Sequence, residues 1–297
     1  MTKTIELKDK FVGFIDIIGY SSLTKLAEGE GNFTFEDLDE LIQMLGTEED
    51  RKYFEKYGPT TCPMAPRIQR NIDFQIGQAW DSVVVSVEIS PAGIINLVSH
   101  CFGVCVRLLT KGVMCRGYIK RGIIHHDGIR IFGSGHIDTV DMEKQVSFYK
   151  QDAQERGTPF IEVDPAVVGY VNNQPDKCVK EMFCRMVLTH EGLSAVFPIR
   201  RLTHSFAICG FGLPPFDPTK EKMNNDILRR NLLNLKNKVK KLVESADEKA
   251  KRKSQYYLRA LDQQLQDCDR TDGMIDSLQQ PIGRRFTKEN FPRIFKS

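Results

Sequence analysis

Apolar residues along the chain gather into short runs, and the spacing inside each run indicates the element it predicts. Residues 11–18, Phe-Val-Gly-Phe-Ile-Asp-Ile-Ile, are rich in β-branched and aromatic side chains at strand length. Residues 74–89 carry the same signature twice, which predicts a hairpin with Asp81-Ser82 at its crossover. Over 94–110 the apolar positions recur at helical spacing, and 114–124 returns to strand character. Residues 129–132 lead into the glycine pair Gly133 and Gly135, after which 136–156 reads as helix. Further strands are expected at 159–163 and 195–211, whereas 36–66, with charged turns and three prolines near its end, reads as an insertion.

This order, β-α-β-β-α-β, describes an α+β fold with a ferredoxin-like, palm-type core. A different pattern begins at Leu228. Leu228, Leu232, Leu235, Val239, Leu242 and Ala246 alternate spacings of four and three, a coiled-coil type seam that fails at Lys249 and Lys253. Between residues 220 and 259 there are 13 Lys/Arg against 5 Asp/Glu, so this helix is basic outside its seam. Such runs usually mark a solvated face, with a phosphate-rich partner or a membrane surface as the alternative. The chain therefore divides into a core domain, 1–215, and a basic helical extension, 216–297.

With 297 residues, 41% of them hydrophobic, a sizeable core is within reach. A net charge of +3 gives no overall polyelectrolyte character, which disfavours nucleic acid as the general partner. The eight cysteines form no C-x-x-C pair, and the N-terminus mixes Lys and Glu before its first apolar run. A cytoplasmic protein with reduced thiols, no signal peptide and no membrane span is expected.

Two carboxylates interrupt this pattern, Asp16 inside the first strand and Asp81 inside the hairpin. Strand interiors are depleted in Asp, and a buried Asp needs a partner, for which a divalent cation is suited. Alternation puts Asp16 on one face with Val12 and Phe14, opposite Phe11, Gly13, Ile15 and Ile17. Taken singly, either Asp reads equally well as a strand-end cap or a salt-bridge partner.

An apolar strand carrying Asp16, Gly19-Tyr20-Ser21 at a helix start, and a hairpin carrying Asp81-Ser82 resemble the class III nucleotidyl cyclases. The helix over 94–110, the strand Arg116-Gly-Tyr-Ile-Lys-Arg-Gly122 and the glycine-opened helix extend the likeness over roughly residues 10 to 170. Phe-Ile-Asp-Ile-Ile-Gly-Tyr-Ser is especially similar to the pyrimidine cyclases of bacterial Pycsar antiphage systems. The resemblance implies that Asp16 and Asp81, with the main chain of Ile17, hold two Mn²⁺ or Mg²⁺ ions. It further implies a homodimer with sites shared between protomers, a pyrimidine triphosphate as substrate, and a separate cyclic-nucleotide-sensing effector in antiviral signalling.

The chemistry fits the residue types. Attack of the ribose 3′-hydroxyl on the α-phosphorus expels pyrophosphate, and two metal ions suit such a displacement without His or Cys ligands. Main-chain amides from Ile17 through Gly19 and Tyr20 to Ser21 lie at a helix start, where phosphate binds readily, although capping by Ser21 or Ser22 explains the same residues. Where the purine cyclases carry a base-reading Lys and acid, this chain has Gly77 and Arg130. Arg130 offers donors only, which suit the O4 acceptor of uracil and favour UTP over CTP; an exposed strand Arg is the alternative. The family's transition-state Asn and Arg meet Ile137 or Asp138, and Asp141. Arg116, Lys120 and Arg121 are candidate replacements, as are Arg200 and Arg201; a catalytically silent nucleotide-binding module is the rival reading. His125 and His126, adjacent in sequence, read as loop residues, and Cys101 with Cys105 as core packing.

Overall fold

The computed structural model describes residues 5–29, 32–46, 50–52, 72–128, 130–150, 153–198, 217–243 and 248–279. The strands are β1 (Lys8–Ile17), β2 (Phe74–Ala79), β3 (Ser82–Glu88), β4 (Cys115–His126), β5 (Ile131–Phe132), β6 (Ile161–Val163), β7 (Val187–His190) and β8 (Leu193–Val196). They form a mixed sheet in the order β2-β3-β1-β4-β6-β8-β7, with β5 paired to the end of β4. Among the described strand pairs only β4–β6 is parallel. Helices α1 (Tyr20–Glu28), α2 (Phe35–Gln43), α3 (Pro91–Thr110), α4 (Ser134–Glu143), α5 (Pro165–Asn172), α6 (Lys177–Met186), α7 (Pro218–Val243) and α8 (Glu248–Gln279) complete the described α+β fold.

Alternation along β1 decides which layer covers which face. Phe11, Ile15 and Ile17 join one core with Ile94, Leu97, Cys101, Val104 and Leu108 of α3, while Val12 and Phe14 join another with Val84, Ile124 and Val140 of α4. α3 begins where Ser90 accepts the Gly93 N–H at 3.0 Å and Pro91 presets the first turn. By length and composition alone α3 could cross a membrane, with a mean hydropathy of 1.7 over an 18-residue window, but it packs as a core helix and 61% of that window is buried. The thiols of Cys101, Cys105 and Cys115 are free and buried, in keeping with core packing.

Several expected boundaries move. The 36–66 stretch is not wholly irregular, because a capping box between Thr34 and Asp37 starts α2; residues 53–66 lie outside the described residues. α4 stops at Glu143 rather than 156. Beyond it the chain turns to bury Val146 and Phe148, and the carboxylate of Glu162 accepts the N–H groups of Ser147 and Phe148 at 2.9 and 3.1 Å. Burial of two large apolar side chains in a hydrogen-bonded loop outweighs the helical propensity of the segment. The strand expected over 195–211 is represented by β8, with 199–211 outside the described residues, and α5, α6 and β7 are additional.

α7 and α8 run antiparallel, joined by Lys222–Asp276, Lys236–Asp262 and the pairing of Arg229 with Asp269 and Asp272 at 3.0 and 2.6 Å. Leu232 and Val239 of the predicted seam are buried in one cluster with Tyr257, Ala260 and Leu261 of α8 and with Tyr118, Phe160 and Phe197 of the sheet layer. Leu232 and Val239 of the seam are thus covered within the chain, and Leu228 and Leu235 pack against the same cluster; Ala246 lies outside the described residues. Tyr257 stacks on Phe160 with ring centroids 5.2 Å apart, so the boundary at 215/216 separates two stretches of chain that share a core. This hairpin lies on the same sheet face as α4, because Tyr118 and Arg116 share a face of β4.

Leu261→Ala should lower unfolding free energy by about 2 to 5 kcal/mol through loss of buried contacts and a residual cavity. Leu233→Ala, at an exposed position, should change it by no more than about 0.5 kcal/mol. Urea unfolding followed by circular dichroism reads both.

Candidate active site

Asp16 is the last outward position of β1 on the α4 face, and register places it opposite Ser82 on β3 and Arg116 on β4. The β2–β3 turn has only Trp80 and Asp81 between its paired ends, Ala79 and Ser82. Trp80 takes φ 53, a left-handed conformation uncommon for a bulky side chain, and this sole tryptophan is 87% exposed. The Ile17 N–H donates to the Asp81 carbonyl at 3.0 Å, which ties the turn to the end of β1. Asp81 is thereby held beside Asp16, close enough that its charge raises the pKa of Asp16.

Two further groups were not anticipated. Glu143, almost fully buried at the end of α4, accepts a hydrogen bond from Arg116 Nε, and Arg116 Nη2 lies 4.0 Å from Asp16 Oδ2. The sequence signal was available: Gly135, Thr139 and Glu143 recur at i, i+4 and all face inward. From the other side, α8 brings Lys253 within electrostatic reach of Asp16. Nothing in the seam pattern marked Lys253, which reads there as a break.

Burial pushes the Asp16 carboxyl up to about 7, reinforced by the charges of Asp81 and Glu143 and opposed by those of Arg116 and Lys253. Two adjacent carboxylates, one of them reluctant to ionise, suit a divalent cation. Among the described residues no group of three or more His, Cys, Asp or Glu side chains is arranged to hold a metal ion. Mg²⁺ commonly takes one or two carboxylates and completes its shell with water and substrate phosphates, so Asp16 and Asp81 fit that mode.

The run of open main-chain amides at this turn is shorter than expected. The amide of Ile17 is taken by Asp81 and that of Ile18 by the Met114 carbonyl, which leaves those of Gly19, Tyr20 and Ser21 without an acceptor among the described residues. Gly19, at φ 83, is the N-cap of α1, with no side-chain cap from Ser21 or Ser22. Nothing lies within 4 Å of where its Cβ would be, so the glycine serves the left-handed backbone.

Arg121 is not brought to the site. It pairs with Phe11 across β1 and β4, hence on the opposite face from Arg116, and donates to Asp9 at 2.7 and 3.0 Å. Lys120 pairs with Asp138 at 2.7 Å, and Ile137 is exposed. Arg130 donates through Nε and Nη2 to Asp127 at 3.0 and 2.5 Å in the β4–β5 turn and contacts neither aspartate. Above Gly77, a Cβ would collide with Ile131 and His126, so side chains from the end of β4 and from β5 fill that space. His125 and His126 belong to β4 rather than a loop; His125 Nδ1 meets the Glu6 carbonyl and His126 Nδ1 meets Ser86 Oγ, both at 2.9 Å. Arg200 and Arg201 lie outside the described residues.

Comparison of the sequence with protein-family models gives no match, and a search of curated proteins gives none either.

Between about pH 4 and 7 the folded chain holds the Asp16 proton more tightly than the unfolded chain, so this group's contribution to stability falls as pH rises through that window and levels off above it. Asp16→Asn removes the effect. With metal chelated, the variant should gain stability relative to the parent on going from about pH 5 to pH 8, which denaturant unfolding at the two values measures.

Proposed function

We propose that the chain is a pyrimidine nucleotide cyclase that converts UTP to 3′,5′-cyclic UMP and pyrophosphate. The observation that carries this reading is the pairing of Asp16 with Asp81 immediately before a helix start whose amides of Gly19, Tyr20 and Ser21 are unaccepted. The strand order β2-β3-β1-β4, antiparallel throughout, supports a palm-type core beneath that pair.

In the proposed reaction the 3′-oxygen forms a bond to the α-phosphorus, the bond to the β-phosphate breaks, and the hydroxyl proton passes to solvent. Asp16, Asp81 and the main-chain oxygen of Ile17 would hold Mn²⁺ or Mg²⁺, which when bound acidifies the hydroxyl and neutralises triphosphate charge. Cation binding requires Asp16 ionised, so it displaces the proton that burial and Asp81 stabilise. The amides of Gly19 through Ser21 orient phosphoryl oxygens with the positive end of α1 behind them. Arg116, fixed by Glu143, keeps a guanidinium beside the reacting centre.

Base choice rests on Arg130, whose Nη1 donors face away from its pairing with Asp127 and match uracil O4. The neighbouring Asp127 carboxylate favours a second reading, CTP, because it could accept from cytosine N4. Base-side groups would come from a second copy of the chain, and the cyclic product would act as a messenger for a separate antiviral effector.

The purified chain, incubated with each of the four ribonucleoside triphosphates and Mn²⁺, should yield a cyclic product from UTP, identified by mass. Asp16→Asn and Asp81→Asn should each lower the rate at least about a hundredfold, since even an outer-sphere partner of a bound metal is worth 10- to 100-fold. Arg130→Gln should move preference toward CTP. Undiminished cyclisation in the aspartate variants would remove the assignment.

A further inference from the structure

A cavity of about 320 Å³ opens beside Arg116, between the loop over 154–158 and α8. Among the described residues its walls include Arg156, Thr158, Arg252, Lys253 and Tyr256, with Glu155 as the one acidic contributor. Glu155 is ion-paired with Arg252 at 2.8 Å, which draws α8 onto the loop and leaves the described lining positive on balance. Gly157 packs so closely on Arg116 that a Cβ there would collide with the guanidinium, so the cavity abuts the carboxylate site. Thr158, only 1% exposed, has a buried hydroxyl with no hydrogen-bond partner among the described residues. Buried hydroxyls are nearly always satisfied, so one without a described partner, on a residue that lines a cationic cavity, calls for an acceptor.

The geometry points to a subsite for phosphoryl oxygens, formed by Lys253, Arg156 and Thr158, through which the C-terminal hairpin completes the catalytic centre and receives the pyrophosphate end of the nucleotide. The assignment rests on the cyclase reading and accounts for the cation that α4 does not supply, since Ile137, Asp138 and Asp141 carry no positive charge. Lys253 is already within electrostatic reach of Asp16, and an ammonium binds phosphate as a point charge without needing a fixed fork. The α7–α8 unit is then a wall of the active site as well as a structural brace.

Calorimetry with inorganic pyrophosphate and Mg²⁺ on the full chain tests this. Lys253→Gln should weaken pyrophosphate binding about tenfold or more, Lys253→Arg should largely restore it, and Thr158→Val should weaken it severalfold. The thermal midpoint of each variant checks folding, and Thr158→Val serves if Lys253→Gln does not fold. In the same variants the KM for UTP should rise more than kcat falls. Absence of pyrophosphate binding by the parent chain, or equal affinity in parent and variants, would overturn the subsite. Pyrophosphate binding that depends on Lys253 in a parent chain that forms no cyclic product would uphold the subsite and sink the cyclase reading instead.

Discussion

One hydrogen bond, from the Ile17 N–H to the Asp81 carbonyl, sets the geometry on which the candidate site depends. It fastens the β2–β3 turn to the last residue of β1, so two acidic side chains that a folding chain would separate are kept adjacent. Their repulsion, in a place where burial already disfavours charge, is a cost the fold carries locally. Arg116 and Lys253 offset part of it, and Glu143 adds to it while holding Arg116 in place. Such an arrangement makes physical sense when a cation and a polyanion complete it.

The layers around the sheet serve that arrangement. α3 covers the far face, packing Ile94, Leu97, Cys101, Val104 and Leu108 against Phe11, Ile15 and Ile17 of β1. On the near face the cover is divided between α4 and the α7–α8 hairpin, and the carboxylate cluster sits where the two meet. The close approach of Gly122 and Gly135 brings the start of α4 onto β4, and the inward face of that helix ends at Glu143.

Local pattern carried the strands β1 to β4, helix α3 and the position of Asp16 on its face, because period and burial coincide there. The length of α4 was not legible, since what ends it is burial of Val146 and Phe148 and the capture of their loop by Glu162, contacts distant in sequence. The destination of the Leu228 seam was equally hidden: heptad spacing predicts a packed face, and only tertiary structure reveals that α8 and the sheet supply the packing. Asp16 and Asp81 stood out because carboxylates in apolar strands are conspicuous. Glu143 and Lys253 did not, one lying on a helix of mixed polarity and the other inside a basic run, where a functional charge looks like any other. Arg121 misled for the converse reason, since its neighbour Arg116 differs from it only by an odd number of residues and hence by sheet face.

The proposed function requires Asp16 and Asp81 to act together as a divalent-cation site completed by the nucleotide. Electron paramagnetic resonance of Mn²⁺ titrated into the full chain, with and without UTP, tests that most directly. Weak binding to the free chain, two tightly bound ions per site once the triphosphate is present, and loss of both with Asp16→Asn or Asp81→Asn are expected. Manganese binding that neither UTP nor these substitutions alter would contradict it.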